Sequence, residues 1–210
     1  EVQTCALPIS KVDGFFSLYL PGERLLHFRL YQGNGDPRPG LADFLGVRHV
    51  TGTTNTLDWV PRPAALPWIT VGQQPQWADR TNTLQALVAE DFDPRKTVWL
   101  PTEASQALPA QAASARILSS SWSSHRVEAE VETDAPTLVV FSQVHYPAWK
   151  ARVDGVAAPI WPANLAFQAV SIPAGRHRVT LAYQDRTFHL GAALSLLSLA
   201  AFALLWRRCR

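Results

Sequence analysis

The sequence predicts a mixed fold, in which a small α+β unit is followed by an antiparallel β-sandwich and one C-terminal transmembrane helix. Three observations support this prediction. Residues 188–206 form an almost unbroken apolar run. Residues 115–185 contain short stretches of strand character about ten residues apart, with turn residues between them, as sandwiches do. Residues 41–113 mix helical and strand patterns.

The N-terminal residues differ from the rest of the chain. Residues 1–10 resemble a translated sequencing adapter, and we expect them to be an artefact; the alternative is an ordinary irregular N-terminus. Residues 11–40 are predicted to be an irregular extracytoplasmic segment, in which the pattern of 25–30 does not decide between helix and strand and 32–40 form a loop. We expect the sequence to be part of a longer protein.

The composition favours a folded domain. Hydrophobic residues make up 47% of the chain and eight residues are Trp, which is enough to build a core. A net charge of +2, with basic residues scattered outside the tail, argues against nucleic-acid binding. Cys5 and Cys209 are expected on opposite sides of a membrane, so we predict no disulfide, and no His/Cys cluster indicates a metal.

Within the α+β unit, residues 41–45 are predicted to form a short helix that Gly46 ends. Residues 83–90 have helical spacing and are expected to be capped by Thr81 or Asn82. Strands are predicted at 47–50, 68–71 and 97–100.

Alternation of apolar and polar residues identifies the sandwich strands. Residues 125–132 place Val and Ala on one face and Glu on the other, whereas 138–141 are apolar throughout and predict a buried strand. Asp154 and Gly155 predict a tight hairpin turn. The serine-rich residues 119–124 are interpreted as a loop. Further strands are predicted at 149–153, 156–161, 166–172 and 178–183.

The apolar run has the length of a membrane-spanning helix, because 19 residues cover roughly 28 Å at the α-helical rise. Arg207 and Arg208 follow it directly, so residues 207–210 are predicted to be a cytoplasmic tail and the bulk of the chain extracytoplasmic. The alternative is a buried helix of a soluble protein. Gly191, Ser195 and Ser198 share one helix face, which predicts packing against other transmembrane helices unless the spacing is coincidental.

Few residues in the sequence indicate a catalytic or ligand-binding role. Asp91 and Asp93 have the types needed for acid–base catalysis, but a turn role before Pro94 explains them better. We assign no catalytic residue, no cofactor and no metal ligand. The candidate substrate-binding surface consists of aromatic rings that can stack on sugars and one amide that can bond hydroxyls: Tyr146, Trp149, Trp161 and Asn164. The alternative for Tyr146 and Trp149 is a role in the sandwich core.

Several motifs in order resemble the C-terminal end of the bacterial YfhO family of multi-pass membrane proteins. They are FLGVRHV at 44–50, HYPAWK at 145–150, VDG at 153–155, NLAFQAV at 164–170 and IPAGRH at 172–177, followed by the apolar helix.

This resemblance implies a membrane glycosyltransferase-like protein of the bacterial cell membrane. Such proteins are similar in taking sugar from a polyprenyl-phosphate carrier and passing it to a cell-surface acceptor. The family's catalytic acid lies in an early outer loop that this sequence does not include, so this part is expected to be a non-catalytic extracytoplasmic module. The partners implied are membrane lipid, the carrier-linked sugar, a glycan acceptor and the protein's other transmembrane helices. The alternative is a membrane-tethered β-sandwich that binds glycan or a protein partner without catalysis.

Overall fold

The computed structural model describes residues 21–30, 38–51 and 58–208. The predictions for residues 1–10, for 11–20, for most of the loop at 32–40 and for both cysteines lie outside the described residues. The fold class is confirmed: several antiparallel sheets, a small part with helices near the N-terminus, and one long C-terminal helix.

The N-terminal part contains three α-helices and five strands. The helices are α1 (Pro21–Leu30), α2 (Pro39–Phe44) and α3 (Arg80–Leu87), and the strands are β1 (His49–Thr51), β2 (Trp59–Pro61), β3 (Ile69–Val71), β4 (Gln74–Trp77) and β5 (Thr97–Leu100). Gly46 follows α2 with a φ of +68°, which is the left-handed conformation predicted for a helix stop. The cap of α3 is Asp79, two or three residues earlier than predicted: its carboxylate accepts from the Asn82 backbone N–H at 2.8 Å.

The sandwich contains eight further strands. They are β6 (Ala115–Trp122), β7 (Arg126–Thr133), β8 (Thr137–Phe141), β9 (Trp149–Val153), β10 (Val156–Ala158), β11 (Trp161–Ala163), β12 (Phe167–Ile172) and β13 (Gly175–Tyr183). One sheet has the order β10-β9-β13-β7-β6 and the other β11-β12-β8-β3.

The two sequence units share a sheet. Strand β3 comes from the α+β unit, yet it pairs antiparallel with β8, with Ile69 opposite Phe141. Strands β4 and β5 pair in parallel beside this sheet. The loop expected at 119–124 is mostly strand, because Ser119, Ser120 and Ser121 pair with β7 as part of β6. The sandwich therefore begins earlier along the chain, and is wider, than the sequence pattern indicated.

Strand β8 lies between two hydrophobic clusters, and all five of its residues are buried. Val139 and Phe141 face the five-stranded sheet, in a cluster with Val127 of β7. Leu138 and Val140 face the opposite way, in a cluster with residues of α1, α2 and α3. Burial on both faces explains the uninterrupted apolar sequence of this strand.

The C-terminal helix α4 spans Arg186–Arg208 and has 23 residues. The Asp185 carboxylate accepts from the backbone N–H groups of Thr187 at 2.9 Å and Phe188 at 3.3 Å, and so caps its N-terminus. Leucines such as Leu194 and Leu197 project from it and are about two-thirds exposed to the surroundings. The segment Leu190–Arg207 is long and apolar enough to cross a membrane, as predicted.

Candidate functional site

Three chain segments meet at one end of the sandwich, where α4 begins; we call this the helix end. The Tyr183 backbone N–H donates to the His125 carbonyl at 2.8 Å, and the Gln184 N–H donates to the Ala148 carbonyl at 2.8 Å. The β6–β7 turn and the β8–β9 loop are thereby fastened beside the start of α4. Residues from these two connections are held in fixed positions next to the helix.

A cleft of about 760 Å³ opens between the edge strands of the two sheets, near the helix end. We call it the edge cleft. Its lining residues are Arg48, Pro67, Trp68, Ile69, Ile117, Ser120, Ser121, Trp122, Ser123 and Ser124. Its volume lies in the range of about 300–1,000 Å³ that is typical of small-molecule sites.

The pairing register of β6 explains why the cleft exists. Ile117, Ser120 and Trp122 lie opposite Val131, Ala129 and Val127, respectively, whose side chains point into the core. Residues paired in this way share a face, so Ile117, Ser120 and Trp122 point inward. The register shifts between Ile117 and Ser119, which marks a bulge at Leu118. The short edge strand β3 packs beside the inward face of β6, and the edge cleft lies next to this contact.

Two tryptophans form the aromatic wall of the edge cleft. The rings of Trp68 and Trp122 have centroids 4.5 Å apart and an interplanar angle of 75°, an edge-to-face contact. The Trp68 carbonyl accepts from the Ser142 N–H at 2.8 Å, which fixes the backbone on one side of the cleft. Trp122 remains 41% exposed. One aromatic face is therefore held in place and accessible.

The polar groups of the cleft are hydroxyls and one cation. The Ser123 hydroxyl donates to the Arg126 carbonyl at 3.1 Å, which shapes the turn. In the described part of the chain, neither the Ser120 hydroxyl nor the Arg48 guanidinium has a hydrogen-bond or ion-pair partner. None of the lining residues is acidic. The cleft thus combines apolar walls with hydroxyls and one guanidinium, which has no ion-pair partner among the described residues.

The structure places two of the predicted site residues together, at the helix end. The rings of Tyr146 and Tyr183 stack, with centroids 6.2 Å apart and an angle of 14°. Trp149 meets Tyr183 edge-on at 5.5 Å. Trp149 is only 6% exposed and belongs to the cluster between the sheets, whereas Tyr146 is 42% exposed. Only Tyr146 of this pair presents a ring to solvent.

The other two predicted residues lie on the four-stranded sheet. Trp161 is half-buried against the cluster that contains the N-terminal helices. Asn164 is 1% exposed, and its side chain and backbone both bond Trp99. Trp149 and Trp161 therefore pack into different clusters. The four residues do not form one continuous aromatic surface.

Three other carboxylates, at a predicted turn or on a predicted strand face, make structural contacts. Asp93 accepts from the Arg95 backbone N–H at 3.0 Å and pairs with Lys96 at 3.2 Å, as expected of a turn residue. Glu130 and Glu132 lie on the outer face of the five-stranded sheet and pair with Arg176 and Arg116. No cluster of three or more metal-ligating side chains occurs among residues 21–30, 38–51 and 58–208.

Sequence reasoning missed the edge cleft. Its residues come from β6, from the chain before β3 and from the end of the α2–β1 connection, which are far apart in sequence. The one local signal is that Trp122 ends a run with strand spacing that begins at Ala115. The serines of this run obscured that signal, because serine is common in loops.

These features define a class: a membrane protein with a β-rich domain joined directly to an apolar helix. Residues 92–195 match the protein family described as "Bacterial membrane protein YfhO". This segment, from before β5 into the first turns of α4, is similar to the YfhO family, which confirms the resemblance found in the sequence. The chain has no match among the curated proteins.

Proposed function

We propose that this chain is the extracytoplasmic module and last transmembrane helix of a bacterial membrane glycosyltransferase. In this proposal the whole protein transfers sugar from a polyprenyl-phosphate carrier to a cell-surface acceptor, and the module contributes no catalytic group. One observation carries it: only Gln184 and Asp185 separate the end of β13 from the start of α4. A joint this short keeps the sandwich against the membrane surface, where a lipid-linked sugar is presented.

The charge at the far end of α4 supports the orientation. Arg207 and Arg208 follow the apolar segment, and lysine and arginine accumulate on cytoplasmic flanks. The sandwich at the other end of the helix is then extracytoplasmic.

The contacts of the carboxylates support a non-catalytic role. Asp43 is buried between Arg62 and Arg95, and Asp154 is bound to His177. Carboxylates engaged in this way hold loops together. A catalytic acid on another part of the protein, in an outer loop, is consistent with this arrangement.

The face of α4 that contains Gly191, Ser195 and Ser198 supports assembly with other transmembrane helices. The Ser195 hydroxyl donates to the Gly191 carbonyl and the Ser198 hydroxyl to the Leu194 carbonyl, both at 2.9 Å. With their hydroxyls satisfied inside the helix, these small residues let a neighbouring backbone approach closely.

Cysteine labelling in intact cells tests the orientation. A single cysteine at the exposed Val156, in a chain whose native cysteines are replaced by serine, should react with a membrane-impermeant maleimide. Cys209 kept as the only cysteine should react only after the membrane is opened. Reaction of both before opening would place both ends on one side and contradict the proposal.

The transfer step is tested with membranes that contain the whole protein and a radiolabelled polyprenyl-phosphate sugar. We expect labelled acceptor with the intact protein. We also expect labelled acceptor with a variant in which Asp91 and Asp93 are both replaced by Asn, because neither carboxylate takes part in the transfer reaction in this proposal. Loss of transfer by a folded double variant would show that this module holds a catalytic group.

A second candidate function is a membrane-tethered sandwich that binds glycan or a protein partner without catalysis. The edge cleft favours it, because accessible aromatic and hydroxyl groups form a ready binding surface. Specific binding by membranes that show no transfer of labelled sugar would select this candidate over the first.

A further inference from the structure

We propose that the edge cleft binds an acidic saccharide, a sugar ring that bears a carboxylate or phosphate group. The inference deepens the second candidate function, because it names the site and the class of ligand. It assigns binding to Trp68, Trp122, Ser120 and Arg48, none of which belongs to the aromatic set selected from the sequence.

The aromatic wall supplies the surface for a sugar ring. The edge-to-face contact with Trp68 fixes the orientation of Trp122, while 41% of Trp122 stays exposed. The axial C–H groups of a pyranose give it an apolar face that packs on an aromatic ring. Because the ring is already held, little side-chain entropy is lost when a ligand packs against it.

The serine hydroxyls of the edge cleft favour a sugar over a hydrocarbon chain as its ligand. Four of the ten lining residues are serines. An acyl chain in the cleft would cover hydroxyls such as that of Ser120 and leave them without hydrogen bonds, which is unfavourable. Sugar hydroxyls both donate and accept, so they satisfy groups such as the Ser120 hydroxyl that have no partner in the described structure.

The charge of the cleft selects an acidic ligand. Arg48 is exposed and unpaired among the described residues, whereas nearby Arg126 pairs with Glu128 at 2.6 Å. A guanidinium can bind a carboxylate or phosphate through two parallel hydrogen bonds. None of the ten lining residues is acidic, so the described wall of the cleft carries no negative charge that would repel an anion.

The size of the cleft sets the length of the ligand. Its volume of about 760 Å³ leaves room for a second sugar ring beside the first. The site is open at the edge of the sheets, so a longer glycan can extend beyond it.

Binding by the full chain in detergent micelles tests the inference. Methyl glucoside, the matching methyl glucuronide and glucose 6-phosphate are titrated, with saturation-transfer NMR and calorimetry as readouts. We expect the two anionic sugars to bind about tenfold more tightly than the neutral one, which corresponds to about 1.4 kcal/mol. Saturation transfer should be strongest on the C–H groups of the ring face.

Variants separate stacking from charge. Arg48→Gln should reduce the affinity for the anionic sugars to that for methyl glucoside. Trp122→Ala should weaken all three by about tenfold, and Trp122→Phe, which keeps a ring, should lose less. The matched controls are Trp59→Ala and Arg152→Gln, exposed residues outside the cleft, which should leave binding unchanged. Circular dichroism confirms that each variant is folded.

Two outcomes would overturn the inference. One is equal binding of neutral and anionic sugars that Arg48→Gln does not alter, or no binding at all. The other is quenching of Trp122 by brominated lipid in vesicles, which would show that the cleft takes up lipid instead. Neither result changes the outcome of the cysteine labelling or of the transfer assay. Rejection of the acidic-saccharide site is therefore distinguishable from rejection of the proposed function.

Discussion

Trp99 and Asn164 bind one another through two hydrogen bonds. The Asn164 side-chain oxygen accepts from the Trp99 backbone N–H at 2.8 Å, and the Asn164 N–H donates to the Trp99 carbonyl at 2.7 Å. Asn164 has a φ of +44°, a conformation that asparagine tolerates better than most residues. The pair joins the end of β5 to the turn between β11 and β12, and so connects the N-terminal part to the sandwich.

Replacing Asn164 by Ala should therefore destabilise the fold. The Trp99 N–H would lose its partner inside the protein, at a cost of roughly 1–3 kcal/mol, with backbone strain added. Urea unfolding of the purified chain measures the loss. Asn82→Ala, on the exposed surface of α3, is the control and should cost less. A stable Asn164→Ala variant that no longer binds sugar would instead support a direct role in binding.

His177 and Asp154 should make stability depend on pH. The hydrogen bond from His177 lowers the pKa of Asp154, and the same bond raises the pKa of His177 above its usual value of 6.5. The imidazole also faces the Ala174 carbonyl at 3.2 Å, so both ring nitrogens meet acceptors, which favours the cation.

The sign follows from these shifts. The contribution of His177 is complete below pH 6.5 and is lost as the pH rises through its higher folded-state pKa. The contribution of Asp154 is complete above pH 3.8 and is lost as the pH falls through its lower folded-state pKa. We expect the pair to stabilise the fold most between these two values.

The Asp154→Asn variant tests this pH dependence. Asparagine tolerates the φ of +51° at this position but removes the charge. The NMR titration of His177 should then shift to a lower pKa, and the difference in melting temperature between pH 5.5 and pH 8.5 should shrink. An unchanged His177 titration would contradict the assignment.

Replacing Asp43 by Ala should be strongly destabilising. Its carboxylate accepts from Arg62 at 2.7 Å and Arg95 at 3.2 Å, and it is nearly buried. Removing it leaves the Arg62 charge without its ion-pair partner in a mostly buried position, which costs about 3 kcal/mol. Chemical unfolding measures the change. Arg95→Ala is the control and should cost less, because Arg95 is nearly half exposed; equal costs would show that Arg95 is the main partner.

Replacing Trp149 by Ala in the full-length protein should reduce the yield of folded protein more than turnover per folded molecule. The side chain is almost fully enclosed between the sheets, and such truncations cost about 3–5 kcal/mol. Quantifying folded protein by size-exclusion chromatography, alongside transfer activity, separates the two effects. Tyr146→Ala is the matched control and should leave yield nearly unchanged. Normal yield of Trp149→Ala with lost sugar binding would assign Trp149 to a binding site.

Local patterns predicted the parts of the fold that short segments determine. The β9–β10 turn follows from Asp154 and Gly155, whose φ values of +51° and +83° suit these two residue types. The five buried residues of β8 appear in the sequence as an apolar run. The length and composition of 188–206 were sufficient to predict the helix α4.

Long-range pairing could not be predicted in the same way. Nothing in residues 69–71 specifies β8 as their partner, since the pairing depends on the shape of a sheet built from distant segments. The bulge at Leu118 decides which residues of β6 point inward, and no glycine or proline marks it. For this reason the sequence did not predict the Trp68–Trp122 contact. It did predict Tyr146 and Trp149 as binding residues, because these two lie close together in the sequence.

The two-residue joint also fixes the orientation of the sandwich about the axis of α4. Gln184 is hydrogen-bonded to Ala148, so the joint has little freedom to swivel. One extra helical residue would turn the whole β-domain by about 100° around the axis of α4 and raise it by about 1.5 Å. In the proposed arrangement, the rotation of α4 about its own axis therefore sets the direction in which the exposed ring of Trp122 faces along the bilayer surface.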